Sequence, residues 1–257
     1  MSAPQVAVDQ VGDAAVVRFE PPGQRLSAEA AGELASALRG AAGGSGVRAI
    51  VLAGGQNFCV GADLRQRAEL PEGRWAAHHA PFEELARALH EVRQPTIAAV
   101  RGWALGGGAE MALGCDIVVA APTARFGLPE ALRGVVPGMG GPHLLQRRTT
   151  HGFAAYLLYT GADVDARTAL EHGLVTFLDE DPEASALGIA QAVGRAAPTA
   201  VAALRDLLRL PAGDFAAAYP AELAAWRRSV ACGDALEGAR AFVGRRAPVF
   251  RVPEPGA

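Results

Sequence analysis

The sequence predicts a mixed α/β core built on a largely parallel sheet, followed by a mostly helical C-terminal part. Short apolar runs bounded by glycine or proline recur as far as residue 121, and they read as buried strands. Between them lie stretches with apolar residues at helical spacing, and strand–helix–strand alternation favours parallel pairing with right-handed crossovers. From about Gly140 onward the apolar residues keep a helical period.

Taken in order, residues 6–8 and 14–19 read as two strands joined at a Gly12-Asp13 turn. Ser27 is placed to cap a helix that runs to about Leu38 and ends in the glycine-rich stretch 40–46. Residues 48–53 form a buried strand closed by Gly54-Gly55, and the loop 56–65 contains Asn57-Phe58-Cys59-Val60-Gly61-Ala62-Asp63-Leu64-Arg65. Phe82, Leu85, Leu89 and Val92 set a helix near 77–93. A strand at 95–100 leads through Gly102-Trp103-Ala104 to three glycines, where a helix begins that stops near Gly114, before a strand at 117–121. Apolar stripes at 153–158, 166–170, 187–193, 201–208 and 215–226 mark the helical part, and residues 253–257 read as a frayed tail.

Composition narrows the chemistry. The 257 residues are 50% hydrophobic and 20% charged, with a net charge of −3, which argues against a nucleic-acid or anionic-membrane surface. A chain of this length buries roughly three quarters of its unfolded surface and needs no covalent staple. All 24 basic residues are arginine, so lysine Schiff-base and P-loop mechanisms are excluded. Any ligand phosphate must meet arginine or backbone N–H groups. Cys59, Cys115 and Cys232 are widely spaced and form no CxxC, which implies neither a disulfide framework nor a structural zinc site. The opening residues lack the pattern of a signal peptide, and apolar runs such as 117–121 are too short to span a bilayer, so a cytoplasmic location is expected.

The histidines do not suggest a metal site. His78 and His79 are adjacent and on a helix point about 100° apart. There is no HExxH, and His90, His143, His151 and His172 stand alone. No G-x-S-x-G elbow and no G-x-G-x-x-G fingerprint occur.

Gly106-Gly107-Gly108 lie between a strand and a helix. They either permit a tight turn, or bring unpaired N–H groups close to a ligand at the positive end of the helix dipole, where an oxyanion is stabilised. Glu110 is the only carboxylate between Gly102 and Cys115. It reads either as a first-turn glutamate favouring the dipole, or as a desolvated group raised into the range of acid–base work. Asp116, at a helix-to-strand junction, reads as a cap or turn residue. Glu130 follows Pro129, a helix-start signal, yet it also lies at a strand exit before a glycine-rich run. Two carboxylates converging on one water can divide acid and base roles.

The runs Phe58-Cys59-Val60-Gly61-Ala62-Asp63-Leu64 and Gly106 to Asp116, then Phe126-Gly127-Leu128-Pro129-Glu130 and Pro137-Gly138-Met139-Gly140-Gly141, together resemble the enoyl-CoA hydratase/isomerase (crotonase) family. The resemblance continues through Tyr159-Thr160-Gly161, Glu171-His172-Gly173-Leu174-Val175 and Glu237 to Phe242, with Arg246 and Pro248, so it covers nearly the whole chain in order. It implies a crotonase-like α/β core of stacked ββα units over residues 1–195 and a helical C-terminal trimerisation region over 196–257. It also implies a homotrimer or homohexamer acting on an acyl-CoA thioester, with coenzyme A as part of the substrate and no separate cofactor.

By the same resemblance, the N–H groups of Ala62 and Gly107 form the oxyanion hole, Glu110 activates water and Glu130 handles the proton at the α carbon. Arg25, Leu26, Ala62, Asp63, Leu64, Arg65 and Gly107 bind the substrate, with Arg65 available to the nucleotide phosphates. The implied reaction is hydration of an enoyl-CoA. A Δ3,Δ2-enoyl-CoA isomerase, another crotonase-type lyase, decarboxylase or hydrolase, and a non-catalytic acyl-CoA-binding member stand as alternatives. Retention of both glutamates counts against the last. Residues 147–151 are more polar than the corresponding connection in the family and read as a surface adaptation. The acyl pocket, placed between Arg65 and Phe82, carries no signature of chain length.

Overall fold

The computed structural model describes residues 5–68, 70–71, 74–210 and 244–250, with six isolated positions between 220 and 241. In chain order the first elements are β1 (Val6–Val11), β2 (Ala14–Phe19), α1 (Ala28–Ala42), β3 (Ala49–Gly54), α2 (Leu64–Ala68) and α3 (Trp75–Glu91). Next come β4 (Thr96–Val100), β5 (Trp103–Leu105), α4 (Gly107–Gly114), β6 (Ile117–Ala120), β7 (Arg125–Gly127), α5 (Gly141–Arg148) and α6 (His151–Thr160). The last are β8 (Asp163–Asp165), α7 (Ala166–Glu171), β9 (Phe177–Leu178), α8 (Pro182–Gly194) and α9 (Pro198–Arg209).

The main sheet runs β1-β2-β3-β4-β6-β9. Only the β1–β2 hairpin is antiparallel; every other pairing in it is parallel. Strand β3 shows why the sheet is covered on both faces. Ile50 and Leu52 join the core made with Leu34 and Leu38 of α1 and Leu85 of α3. Ala49, Val51 and Ala53, pointing the other way, meet Ala186 and Ala190 of α8. Alternation sends successive side chains to opposite faces, and a strand buried on both reads as a continuous apolar run. A smaller sheet, β5-β7-β8, stands apart from the main one. Its presence makes β4-β5-α4 one ββα unit, as the stacked-unit expectation required.

Several boundaries differ from the sequence expectation for physical reasons. Helix α1 begins as expected, with Ser27 Oγ accepting the Ala30 N–H at 3.1 Å, but it continues past Leu38 to Ala42. Ala41 is buried against the core, and packing there outweighs the helix cost of Gly40. Strand β1 reaches Val11 because hairpin pairing continues to the turn although Asp9 and Gln10 are polar. Strands β5, β7 and β8 are three residues each, too short to show a period. The stripe at 215–226 and the tail at 253–257 lie outside the described residues, apart from Pro220, Leu223 and Ala224.

Asp116 does more than cap a turn. Its Oδ2 accepts the Thr96 N–H and hydroxyl at 2.8 and 2.9 Å and pairs with Arg205 Nε at 2.7 Å. Arg205, only 5% exposed, also donates to the carbonyls of Leu89 and Val92. Helix α9 is thereby anchored to the end of α3 and to the starts of β4 and β6. Among the described residues no single helix is long and apolar enough to cross a membrane.

Candidate active site

The site forms where three strands of chain lie side by side beyond the sheet. Residue Cys59 pairs with Ala104 in parallel: its N–H donates to Trp103 O at 3.0 Å, and its carbonyl accepts from Leu105 N at 2.9 Å. Further along, Gly61 lies against the other chain: a Cβ there would sit 3.0 Å from Leu105 O and 3.7 Å from the Gly106 Cα. Close approach at this seam depends on glycine. A Cβ on Gly108 would overlap the carbonyl oxygen of Cys59, and a Cβ on Gly106 would lie 3.8 Å from the Gly61 Cα. Gly106 also has φ 53° and ψ −125°, a backbone that side-chain-bearing residues avoid.

On its other side, Ala62 is bridged to Leu26. The Leu26 N–H donates to Gly61 O at 2.9 Å and its carbonyl accepts from Asp63 N at 3.0 Å. In such a bridge Leu26 bonds both neighbours of Ala62, so the N–H of Ala62 itself points away from Leu26. The N–H of Gly107, first residue of α4, belongs to the turn that has no intrahelical acceptor. Among the described residues neither N–H donates to a backbone carbonyl. Backbone donors of this kind, one of them at a helix N-terminus, can hold a developing oxyanion.

Both glutamates reach this place. Glu110, one turn into α4, is 3% exposed, and its Oε1 accepts the N–H groups of Met139 and Gly141 at 2.7 and 2.8 Å. Burial pushes its carboxyl up to about 7, with the charge of Glu130 adding to the rise and the backbone N–H groups opposing it. Glu130 lies in the 3-10 turn Pro129–Arg133 that follows β7. Its Oε1 comes so close to the Gly106 Cα that a Cβ there would sit 2.8 Å away. Glu130 therefore faces the backbone at Gly106, and it is near enough to Glu110 for its charge to add to the rise there.

The remaining expected site residues spread around this centre. Asp63 Oδ1 accepts the Arg65 N–H at 3.0 Å and so caps α2. Leu64 and Arg65 are exposed on that short helix. Arg25 is half-buried, while the Leu26 side chain is in the core and only its backbone borders the site. Sequence reasoning assigned no role to Met139 and Gly141, whose N–H groups hold Glu110. The signal was there in Gly140-Gly141-Pro142, a helix start with proline in its first turn. It also took residues 147–151 for a surface adaptation. Arg147 does point outward, to the carbonyls of Leu208 and Arg209, but the Arg148 guanidinium turns inward to Leu113 and Cys115. Burial pushes the thiols of Cys59 and Cys115 up to about 12, which removes both as nucleophiles.

Comparison with known proteins gives a consistent answer. A family model described as enoyl-CoA hydratase/isomerase matches residues 12–253. The 2,3-dehydroadipyl-CoA hydratase of Escherichia coli (strain K12) is 35% identical over 226 residues, covering 85% of this chain and 87% of that protein. Among solved structures, an enoyl-CoA hydratase from Bacillus anthracis superposes with a TM-score of 0.91 at 31% identity, over 96% of this chain and 99% of that one. An enoyl-CoA hydratase from Polaromonas sp. JS666 gives 0.88 at 28% identity, over 96% and 99%.

Proposed function

We propose that this chain, which belongs to the enoyl-CoA hydratase/isomerase family, adds water across the α,β double bond of an enoyl-CoA thioester. The observation that supports this reading is a buried Glu110 raised by burial and by the charge of Glu130, with Glu130 Oε1 close against the backbone at Gly106. In the proposed reaction the N–H groups of Ala62 and Gly107 hold the thioester oxygen, drawing electron density from the β carbon. Glu110 takes a proton from water as its oxygen bonds to the β carbon. The electron pair of the double bond moves into the enolate held by the N–H groups, and Glu130 delivers a proton to the α carbon. The pair ends with the proton on Glu110 and the charge on Glu130, and one proton exchange resets it.

A raised Glu110 suits this role. A carboxylate whose proton affinity lies near the working pH is a stronger base than an ordinary one. The reaction needs no metal or redox cofactor, coenzyme A being part of the substrate, and its setting is the cytoplasm. Leu204 and Leu208 on α9 and Tyr156 and Tyr159 on α6 are exposed, which supports assembly into a homotrimer or homohexamer. Light scattering at micromolar concentration is expected to give one of those masses; a monomer contradicts the assembly.

The function is tested by offering crotonyl-CoA and a 3-enoyl-CoA to the same preparation. Hydration consumes the conjugated absorbance of the first. Turnover of the second alone, with conjugation gained, would replace hydratase by isomerase. Binding of both without turnover would identify a non-catalytic member.

A further inference from the structure

Helices α4 and α5 lie side by side and run in the same direction. Glu110, one turn into α4, meets Gly141 at the start of α5. Gly114, at the end of α4, lies close to Leu144 in the middle of α5. Leu113 and Cys115 meet Arg148 in the last turn of α5. Parallel neighbours bring like ends of two helix dipoles together, which is unfavourable unless opposite charge is supplied at each end. Here each helix supplies it to the other. Glu110 of α4 places its carboxylate on the first N–H of α5 and on the Met139 N–H just before it, and Arg148 of α5 places its guanidinium on carbonyls in the last turn and C-cap of α4. The Nε of Arg148 donates to Leu113 O at 3.0 Å and a terminal nitrogen donates to Cys115 O.

We propose that Arg148 is a positioning residue for Glu110: by gripping the end of α4 it fixes α5, and so holds the Met139 and Gly141 N–H groups on the Glu110 carboxylate. The start of α5 depends on this arrangement. Its N-cap, Gly140, offers no side chain and Pro142 has no N–H, so Glu110 is the acceptor for the Gly141 N–H and for the Met139 N–H just before the helix. Arg148 is desolvated, and Cys115, Asp116 and Arg147 are the titratable groups that face it. Glu110 is faced by Glu130 and by the N–H groups of Gly138, Met139 and Gly141. The planar fork of arginine matters because one side chain must reach two carbonyls. A lysine keeps the charge but presents a point donor.

The inference rests on the acid–base reading of Glu110, but its test does not. Carboxyl-carbon NMR of the full chain labelled on glutamate follows the Glu110 titration, with Glu110→Gln identifying the resonance. Losing the grip of Arg148 loosens the two N–H groups that favour the charged form, so the midpoint rises. We expect Arg148→Met to raise it by roughly half a unit or more, and Arg148→Lys to fall between Met and wild type. In hydration assays kcat is expected to fall roughly tenfold in Arg148→Met while KM stays within about twofold.

A folded Arg148→Met with the wild-type midpoint overturns the proposal. Should Met leave the chain unfolded by circular dichroism, Arg148→Lys decides alone, and a wild-type midpoint in that variant overturns it equally. A midpoint that moves in a protein inactive on every enoyl-CoA supports the positioning role and removes the hydratase reading instead.

Discussion

Glu110 and Glu130 are near enough for the charge of Glu130 to be felt at Glu110, yet they stand on very different ground. Glu110 stands on a helix buried on all sides, in a run where every residue from Gly108 to Leu113 is buried, and two N–H groups fix one of its oxygens. Glu130 stands on a five-residue 3-10 turn at the rim, beside Leu132 at 63% exposure and six positions before Val136 at 79%. One carboxylate is held by the core and the other by a surface turn. The difference suits divided labour. A base that must meet water in one orientation gains from rigidity, whereas a group that passes a proton to a bound substrate gains from a turn that can adjust to it.

The kinetic prediction is the largest and puts the division of labour at risk. Glu110→Gln and Glu130→Gln should each lower kcat for crotonyl-CoA by roughly 10²- to 10⁴-fold, the usual size of one acid–base contribution. Gln keeps the shape of each side chain, so KM should move little. The double variant should fall far short of the product of the two losses, because groups acting on one water are non-additive. Were both single variants to hydrate within about threefold of wild type, neither residue would be an acid or base. In wild type, kcat/KM should fall as the pH drops through about 7, where Glu110 takes up its proton.

A smaller effect separates the two glutamates by stability. Glu110 sits at about 7 in the folded chain against an ordinary 4.5. The stability due to its neutral form is complete below 4.5 and is lost as the pH rises through 7. That gap corresponds to about 3 kcal/mol. Glu110→Gln is neutral at every pH, so by urea unfolding it should match wild type near pH 4 and gain up to about 3 kcal/mol at pH 8.5. An equal difference at both pH values would mean that burial is not what raises Glu110. Glu130→Gln removes one of the charges that raise Glu110, so in that variant the Glu110 midpoint should move down.

The burial of Glu110 was legible because a lone carboxylate stands in an apolar stretch, while its candidate role came only with the family resemblance. Glu130 was legible as a carboxylate at a strand exit. What holds Glu110 was not. Met139 and Gly141 are 29 and 31 residues away and act through backbone N–H groups, which no residue type announces. Arg148 was misread for a related reason: polarity in sequence looks like surface, and only the placement of α5 beside α4 shows that the guanidinium completes a helix end inside the protein. The small sheet was missed because its three strands are each three residues long. The main sheet was legible because β3 and β4 are apolar on both faces.

The smallest effect concerns the edge of the site rather than its centre. Arg65 is exposed on α2, whose start is fixed by Asp63 through the Arg65 N–H, so the backbone is anchored while the side chain reaches into solvent. With no lysine in the chain, arginine is the only cationic side chain that can meet the phosphates of a coenzyme A nucleotide at neutral pH. A solvent-exposed contact of this kind is screened, so Arg65→Ala should weaken binding of a CoA ester by only about threefold to tenfold, and less at high salt. An acyl-pantetheine analogue carries no nucleotide, and its affinity should stay close to that of wild type. Because Ala retains the N–H that Asp63 accepts, α2 keeps its cap and a general loss of structure is not expected. Titration calorimetry with both ligands decides the matter: an equal loss for the two would take Arg65 away from the phosphates and leave the nucleotide to backbone N–H groups or to Arg25.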